Sequence, residues 1–312
     1  MLSGLLLPAW SYAAAGATLS SRELLAFAEQ AVTAGFESLW VSDHFLHEPF
    51  VDYTAMDIEF PEDYRGIKVG QWECWSLMAA LAARIPAVTL GTLVSNTAFR
   101  NPALLARIID TVDDLSGGRL VVGLGAGDFV TEHRAFGYDF ERPIARFEEA
   151  LSVIRPLLRG ETLSHHGEFY RTENATLMPK SLRAAGPPIM IGLLRGGPRM
   201  LRLVAEYADQ WNCMLPFSDS RVASYIDAWA GVRAACEKHG RDPATLGSNV
   251  TVGVCFADNY PLPGALPLRG STQQLLDACA LYKEQGVDTL SMVIEPCTPA
   301  SLEAIAPVLA AL

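Results

Sequence analysis

The chain has no CxxC pair. Its six cysteines, Cys74, Cys213, Cys236, Cys255, Cys279 and Cys297, lie at least 18 residues apart. Zinc-ribbon and thioredoxin-type readings therefore fail, and the cysteines read as small buried hydrophobes in a reducing compartment. No segment approaches the roughly 18 uncharged apolar residues of a membrane span. The apolar run in MLSGLLLPAW lacks the basic residues that open a signal peptide. A soluble cytoplasmic protein is expected. Basic residues are in deficit, 24 Lys and Arg against 35 Asp and Glu, for a formal charge of −11. A nucleic-acid binder needs a basic face, so that class is excluded. Only 19% of residues are charged and 50% are hydrophobic, which excludes a disordered chain. There is no GxSxG nucleophile motif. His133, His165 and His166 lack ligand spacing such as HxxxH, so no metal is expected. No low-complexity linker divides the chain, and residues 1–312 are expected to form one domain.

What is present is an alternation. Apolar runs at residues 4–8, 38–42, 87–94, 119–124, 188–192, 209–214, 249–256 and 287–293 are rich in Val, Leu and Ile with little polar alternation. Strands buried on both faces of a parallel sheet have that character. Between them, residues 20–34, 73–83, 101–115, 144–158, 198–208, 218–239, 271–285 and 299–312 carry helical spacing. The first opens on a capping box, Ser20 with Glu23, and closes at Gly35. Pro102 and Pro198 stand near helix starts, where a missing N–H costs nothing. Eight strands and eight helices in this length match an α/β fold of the (β/α)8 TIM barrel type. Strand count alone does not separate that barrel from a doubly wound open sheet. Two connections are long. Residues 44–71 follow strand two, on the side where a barrel places its chemistry, and read as a substrate cover. Residues 160–187 precede strand five and either cross over the barrel or decorate its bottom.

Four clusters could carry chemistry. SLWVSDHF, residues 38–45, puts Asp43 and His44 at the end of strand two. An imidazole there can bind a ligand or move a proton, and the same pair equally serves a strand-end turn. LGTLVSNTAFRNP, residues 90–102, ends strand three in Thr92, Ser95, Asn96 and Thr97, small hydrogen-bonding groups suited to a heterocycle edge. RLVVGLGAGDFVTEH, residues 119–133, alternates Gly123, Gly125 and Gly127, which let backbone approach a flat ligand or a phosphate. Asp128 follows as a candidate acid or base. PIMIGLLRGGPRMLRLVAEYADQWN, residues 188–212, places Gly196 and Gly197 before a helix start, a ready anion site, with Arg195 and Arg199 alongside.

In this order the clusters resemble the luciferase-like monooxygenase superfamily, and within it the F420-dependent oxidoreductases. The resemblance runs from GLLLPAW through ELLAFAEQAVTAGFESLWVSDHF to RLVAEYADQWN, roughly the first two-thirds of the chain. Its most specific stretch is NPALLARIIDTVDDLSGGRLVVGLGAGDFVTEHRAFG. It implies a luciferase-like (β/α)8 TIM barrel with inserted loops after strand 2 and before strand 5. A flavin or deazaflavin would lie across its mouth. His44 would contact the ring or transfer a proton, with Asp128 as second catalytic candidate. A bulge with a non-prolyl cis peptide is implied at Leu93–Val94, behind the ring. Thr92, Asn96, Gly125 and Gly127 would flank the ring, while Gly192, Arg195, Gly196 and Gly197 would hold the phosphate. The expected cofactor is coenzyme F420, with FMN as the alternative. The matching activities are hydride transfer to or from a small organic substrate, flavin-dependent monooxygenation, or flavin binding without catalysis. Members are commonly homodimers. Two departures argue against a sugar-phosphate substrate: Glu48 replaces a tryptophan four residues after the histidine, and Asp128 shortens the acid after the glycines. The segment 45–70 carries Glu48, Asp52, Asp57, Glu59, Glu62 and Asp63, unfavourable to an anionic substrate. Phe45, Trp72, Trp75, Phe129 and Trp211 are the aromatics expected to line the pocket.

Overall fold

Each apolar run becomes a parallel strand, and their pairings close a ring. The strands are β1 Leu2–Leu6, β2 Ser38–Val41, β3 Thr89–Thr92, β4 Leu120–Gly125, β5 Ile189–Leu193, β6 Gln210–Met214, β7 Gly247–Cys255 and β8 Thr289–Glu295. This computed structural model describes residues 1–9, 19–193, 196–258, 260–262 and 264–312. Consecutive strands are neighbours throughout. The register Met190↔Gly123 joins β5 to β4, and Gly4↔Ser291 joins β1 to β8. These pairs decide for the closed (β/α)8 barrel over the open sheet.

The helices are α1 Ser21–Ala34, α2 Cys74–Arg84, α3 Pro102–Leu115, α4 Pro143–Leu158, α5 Pro198–Tyr207, α6 Val222–Lys238, α7 Thr272–Glu284 and α8 Pro299–Ala311. Local chemistry sets their ends. Ser20 and Glu23 form the reciprocal box on α1, and Gly35 ends it at φ 111°, a left-handed conformation that glycine adopts freely. Asn101 accepts from the N–H groups of Ala103 and Leu104 to start α3.

Apolar packing divides in two. The larger core lies between strands and helices, with Leu39, Leu90, Ile109, Leu151 and Tyr282 fully buried. The smaller fills the barrel itself, with Leu6, Trp40, Val121 and Met190. Trp40 projects into that interior. A Cβ on Gly91 would meet its ring at 2.2 Å, so the glycine on β3 is the space into which the β2 indole fits.

The insertions are more ordered than bare loops. In residues 44–71, Leu46–His47 pairs antiparallel with Val69–Gly70 around the short helix Pro49–Ala55. Asp52 fastens this helix by accepting from Thr131 and from the Glu48 N–H. In residues 160–187, Leu163–His166 and Arg171–Ala175 form a hairpin. It neither crosses the mouth nor sits at the bottom, but lies along α4. The Glu149 carboxylate of α4 accepts the N–H groups of Glu168, Phe169 and Tyr170. Further on, Lys180 and Arg183 pair with Asp110 and Asp113 of α3. Among the described residues no helix is long and apolar enough to cross a membrane.

Candidate active site

The C-terminal ends of the strands surround a cavity of about 750 Å³. Strand β3 stops at Thr92, and the Leu93–Val94 bond is cis, at the position the resemblance implies. Ser95 and Asn96 then rejoin β4, opposite Leu124 and Gly125. Between the two pairings Val94 stands out as a ridge that lines the cavity. The glycines around it make this possible. A Cβ on Gly125 would lie 2.7 Å from Val94 Cγ2, and one on Gly192 3.0 Å from Val94 Cγ1. A Cβ on Gly127 would lie 2.5 Å from Asn96 Nδ2. All three glycines line the cavity, so they accommodate the bulge as well as leave its wall open to a flat ligand.

Asp43 and His44, just beyond the end of β2, take different partners. The Asp43 carboxylate is buried and accepts from Ser95 Oγ at 2.8 Å, the Asn96 N–H at 3.0 Å and both terminal nitrogens of Arg100. Arg100 also pairs with Glu73, which caps the start of α2. Asp43 thus bolts the end of β2 to the far side of the bulge.

His44 turns into the cavity, and its orienting acid comes from elsewhere. Its Nδ1 lies 2.8 Å from Glu132 Oε1, and Glu132 Oε2 accepts the Phe45 N–H at 2.8 Å. Glu132 is fully buried on the short helix Val130–Phe136. Burial alone would push the imidazole down. The hydrogen bond and charge of Glu132, then the charges of Asp128 and Asp43, outweigh it and raise His44 to about 9. Asp128 lines the same cavity. Asp128 stays accessible within the cavity, and enclosure by the surrounding walls raises its carboxyl above the ordinary value, opposed by the His44 charge and aided by Glu132 and Asp52. Ligand atoms of His44, Asp128 and Glu132 lie within 4.8 Å of one another, a spacing that could hold a metal ion and that no sequence motif announced. The donors are already engaged, however. Nδ1 is hydrogen-bonded to Glu132, and the other Glu132 oxygen accepts backbone N–H groups. The arrangement suits proton transfer better than metal ligation.

Other sequence expectations divide. Leu93, Val94, Asn96, Gly125, Gly127, Gly192, His44 and Asp128 converge on the cavity. Thr92 does not reach it: fully buried, it donates to the Gly123 carbonyl at 2.7 Å, on the side of β3 turned from the lumen. Gly196 and Gly197 are exposed before α5, which starts with no side-chain cap. Arg195 lies outside the described residues. Arg199 is committed to Glu148 at 2.8 Å. Of the five aromatics, Phe129 alone lines the cavity. Phe45 stacks on Phe99, Trp75 donates to Ser95, Trp211 stacks on Trp229, and Trp72 reaches the Leu19 carbonyl at the surface. The six acids of the covering segment also stay off the cavity wall, which receives His47, Tyr53 and Met56 from it instead. Tyr53 and Phe60 cluster with Phe129 and Leu262 into an aromatic roof. Missed by the sequence were Glu132, Glu295 at the end of β8, and His47, whose imidazole burial and the His44 charge push down to about 3.

With this geometry in hand, similarities to known proteins take on meaning. The phthiodiolone/phenolphthiodiolone dimycocerosates ketoreductase of Mycobacterium tuberculosis is 31% identical over 252 residues, 78% of this chain and 62% of that protein. The 5,10-methylenetetrahydromethanopterin reductase of Archaeoglobus fulgidus is 32% identical over 187 residues, 60% of this chain and 47% of that one. The match thus spans less than two thirds of either relative. Among solved structures, an F420-dependent secondary alcohol dehydrogenase in complex with an F420-acetone adduct superposes with a TM-score of 0.77 at 16% identity, over 98% of this chain and 97% of that one. A monooxygenase from Streptomyces bottropensis superposes with a TM-score of 0.75 at 20% identity, over 100% and 99%. These likenesses, at such identities, attest the barrel. The luciferase-like monooxygenase family model matches residues 1–260 of the 312. The chain belongs to the luciferase-like monooxygenase family.

Proposed function

We propose that the protein is an F420-dependent oxidoreductase, moving a hydride between the deazaflavin and a carbon of a small organic substrate, with His44 as the proton partner. The observation that carries this reading is the His44–Glu132 pair, Nδ1 and Oε1 2.8 Å apart, held beside a ridge-floored cavity. The ketoreductase and reductase relatives support it. When bound, the deazaflavin supplies a hydride donor or acceptor at its C5 carbon.

The chain's residues fit such a ring. Leu93 and Val94 would support its rear face, and Asn96, Gly125 and Gly127 would flank it. Gly192 leads toward the start of α5, where the uncapped N–H groups at Gly196 and Gly197 would receive a phosphate; Arg195, which precedes them in sequence, is proposed as a further contact. Glu132 holds Nδ1 of His44, which leaves Nε2 for the substrate. Near neutral pH the raised imidazole is protonated, so it can donate to a carbonyl oxygen as the carbon is reduced. In the oxidative direction the neutral form is needed, and turnover should climb as pH approaches 9.

The decisive experiment titrates the apo-protein with F420 and with FMN by fluorescence. F420 binding, followed by substrate-dependent consumption of its reduced form, is the expected result. Tight FMN binding without any F420 response would sink this reading. It would favour the second one, a flavin-dependent monooxygenase, since the same ridge suits a flavin ring and a monooxygenase shares the fold. His44→Ala should lower turnover about 10²–10⁴-fold with cofactor affinity retained. Turnover that survives both His44→Ala and Asp128→Ala would remove these residues from the chemistry, whereas cofactor binding with no turnover of any substrate would point to a barrel that binds a flavin without catalysis.

A further inference from the structure

The charges around the cavity do not balance. Among the described residues no lysine or arginine lines it, whereas Glu23, Asp43, Asp128 and Glu295 do. Three of these acids are already engaged. Asp43 has Arg100, Glu23 accepts the Ser20 N–H, and Asp128 stands beside the charged His44. Glu295 has no such relation. It is the last residue of β8, half-buried, and its carboxyl makes no hydrogen bond or ion pair among the described residues. Burial raises its carboxyl above the ordinary value with no opposing partner.

The cavity that Glu295 lines also has aromatic walls. Tyr53, Phe129, Phe217 and Tyr260 line the same cavity. Tyr64 of the covering segment comes close enough that the Glu295 charge adds to burial in raising its phenol. Aromatic faces attract a cation through their quadrupole. A desolvated carboxylate is costly until a cation pairs with it. A neutral ligand leaves that cost in place, and an anionic one increases it.

Resting on the hydride-transfer reading of this cavity, we infer that Glu295 determines specificity by anchoring a cationic nitrogen of the substrate, a protonated or quaternary amine. Strand β8 and strand β2 flank β1, so the cation sits two strands round the wall from His44, several bonds from the reacting carbon. The acids of the covering segment, which stay off the wall, contribute nothing to this preference.

The test uses three methyl ketones of equal length ending in trimethylammonium, tert-butyl or carboxylate. The first two are nearly the same size and differ in charge. Their binding to the full chain is measured by calorimetry without cofactor, and their turnover with reduced F420 separately. Trimethylammonium should bind at least tenfold tighter than tert-butyl, and carboxylate least of all. Glu295→Gln should bring the first two within threefold, and E295K should favour the carboxylate. Equal binding of the two isosteres by the wild-type chain overturns the inference, and needs no variant to fold. A tenfold preference that persists in E295Q overturns it as well. A retained preference without any F420 binding refutes the hydride-transfer reading and leaves the anchor standing.

Discussion

At the scale of single residues, the site rests on a pair that lies 88 positions apart in sequence, His44 and Glu132. Replacing Glu132 by Gln removes the charge that outweighs burial. The His44 pKa should then fall, read from its imidazole proton resonances, and the alkaline limb of reduction, where this acid loses its proton, should move to lower pH. The glycine ridge makes a second prediction. Gly125→Ala drives a methyl into Val94 and should cost about 1–3 kcal/mol in urea unfolding. Adding Val94→Ala should recover most of it, a coupling that independent sites would not show. His44 and Asp128 were legible because both follow a strand end. Glu132 was not, since an acid in a seven-residue helix looks like any surface helix acid. Thr92 was misplaced for a related reason. Alternation along β3 puts Leu90 in the outer core and Gly91 against Trp40 in the lumen, so Thr92 turns outward, and which phase of that alternation faces the lumen is set only by the closed barrel.

Secondary-structure elements carry the site through two attachments. The Asp43–Arg100 bolt joins the end of β2 to the bulge and, through Glu73, to the start of α2. Arg100→Met leaves a buried carboxylate unpaired and should destabilise by about 3–5 kcal/mol, with cofactor affinity falling alongside. The hairpin Leu163–His166 with Arg171–Ala175 is a contrasting case. It packs on the outer side of α4, away from the cavity. Replacing it with a short Gly-Ser linker should leave cofactor titrations unchanged within twofold. A tenfold loss of affinity would show that it reaches the mouth. Helices and long strands were readable because three or more turns, or five buried residues, repeat a period. The two-residue strands of the cover and its seven-residue helix are too short to do so.

Across the whole molecule, the two cavity histidines make opposite demands on stability. His44 is raised to about 9 in the fold, so its contribution is complete below pH 6.5 and is lost as pH rises through 9. His47 is lowered to about 3, so its contribution is present above pH 6.5 and drains away as pH falls toward 3. Together they favour a maximum near pH 6.5. Urea midpoints at pH 5, 6.5 and 9.5 should trace it, and His47→Leu should flatten the acid side alone. A profile unchanged in that variant would remove His47 from the balance.

The sequence by itself determined the order and approximate extent of the eight barrel strands and their eight helices, because caps, periods and apolar runs act between residues a few positions apart. It also determined that the candidate chemistry follows strand ends. Only the tertiary structure decided that the ring of strands closes, that Asp43 turns to Arg100 while His44 turns to Glu132, and that Glu295 reaches the cavity without a hydrogen-bond or ion-pair partner among the described residues. Those outcomes depend on register and on partners brought together across the barrel, and neither is written in any local stretch of the chain.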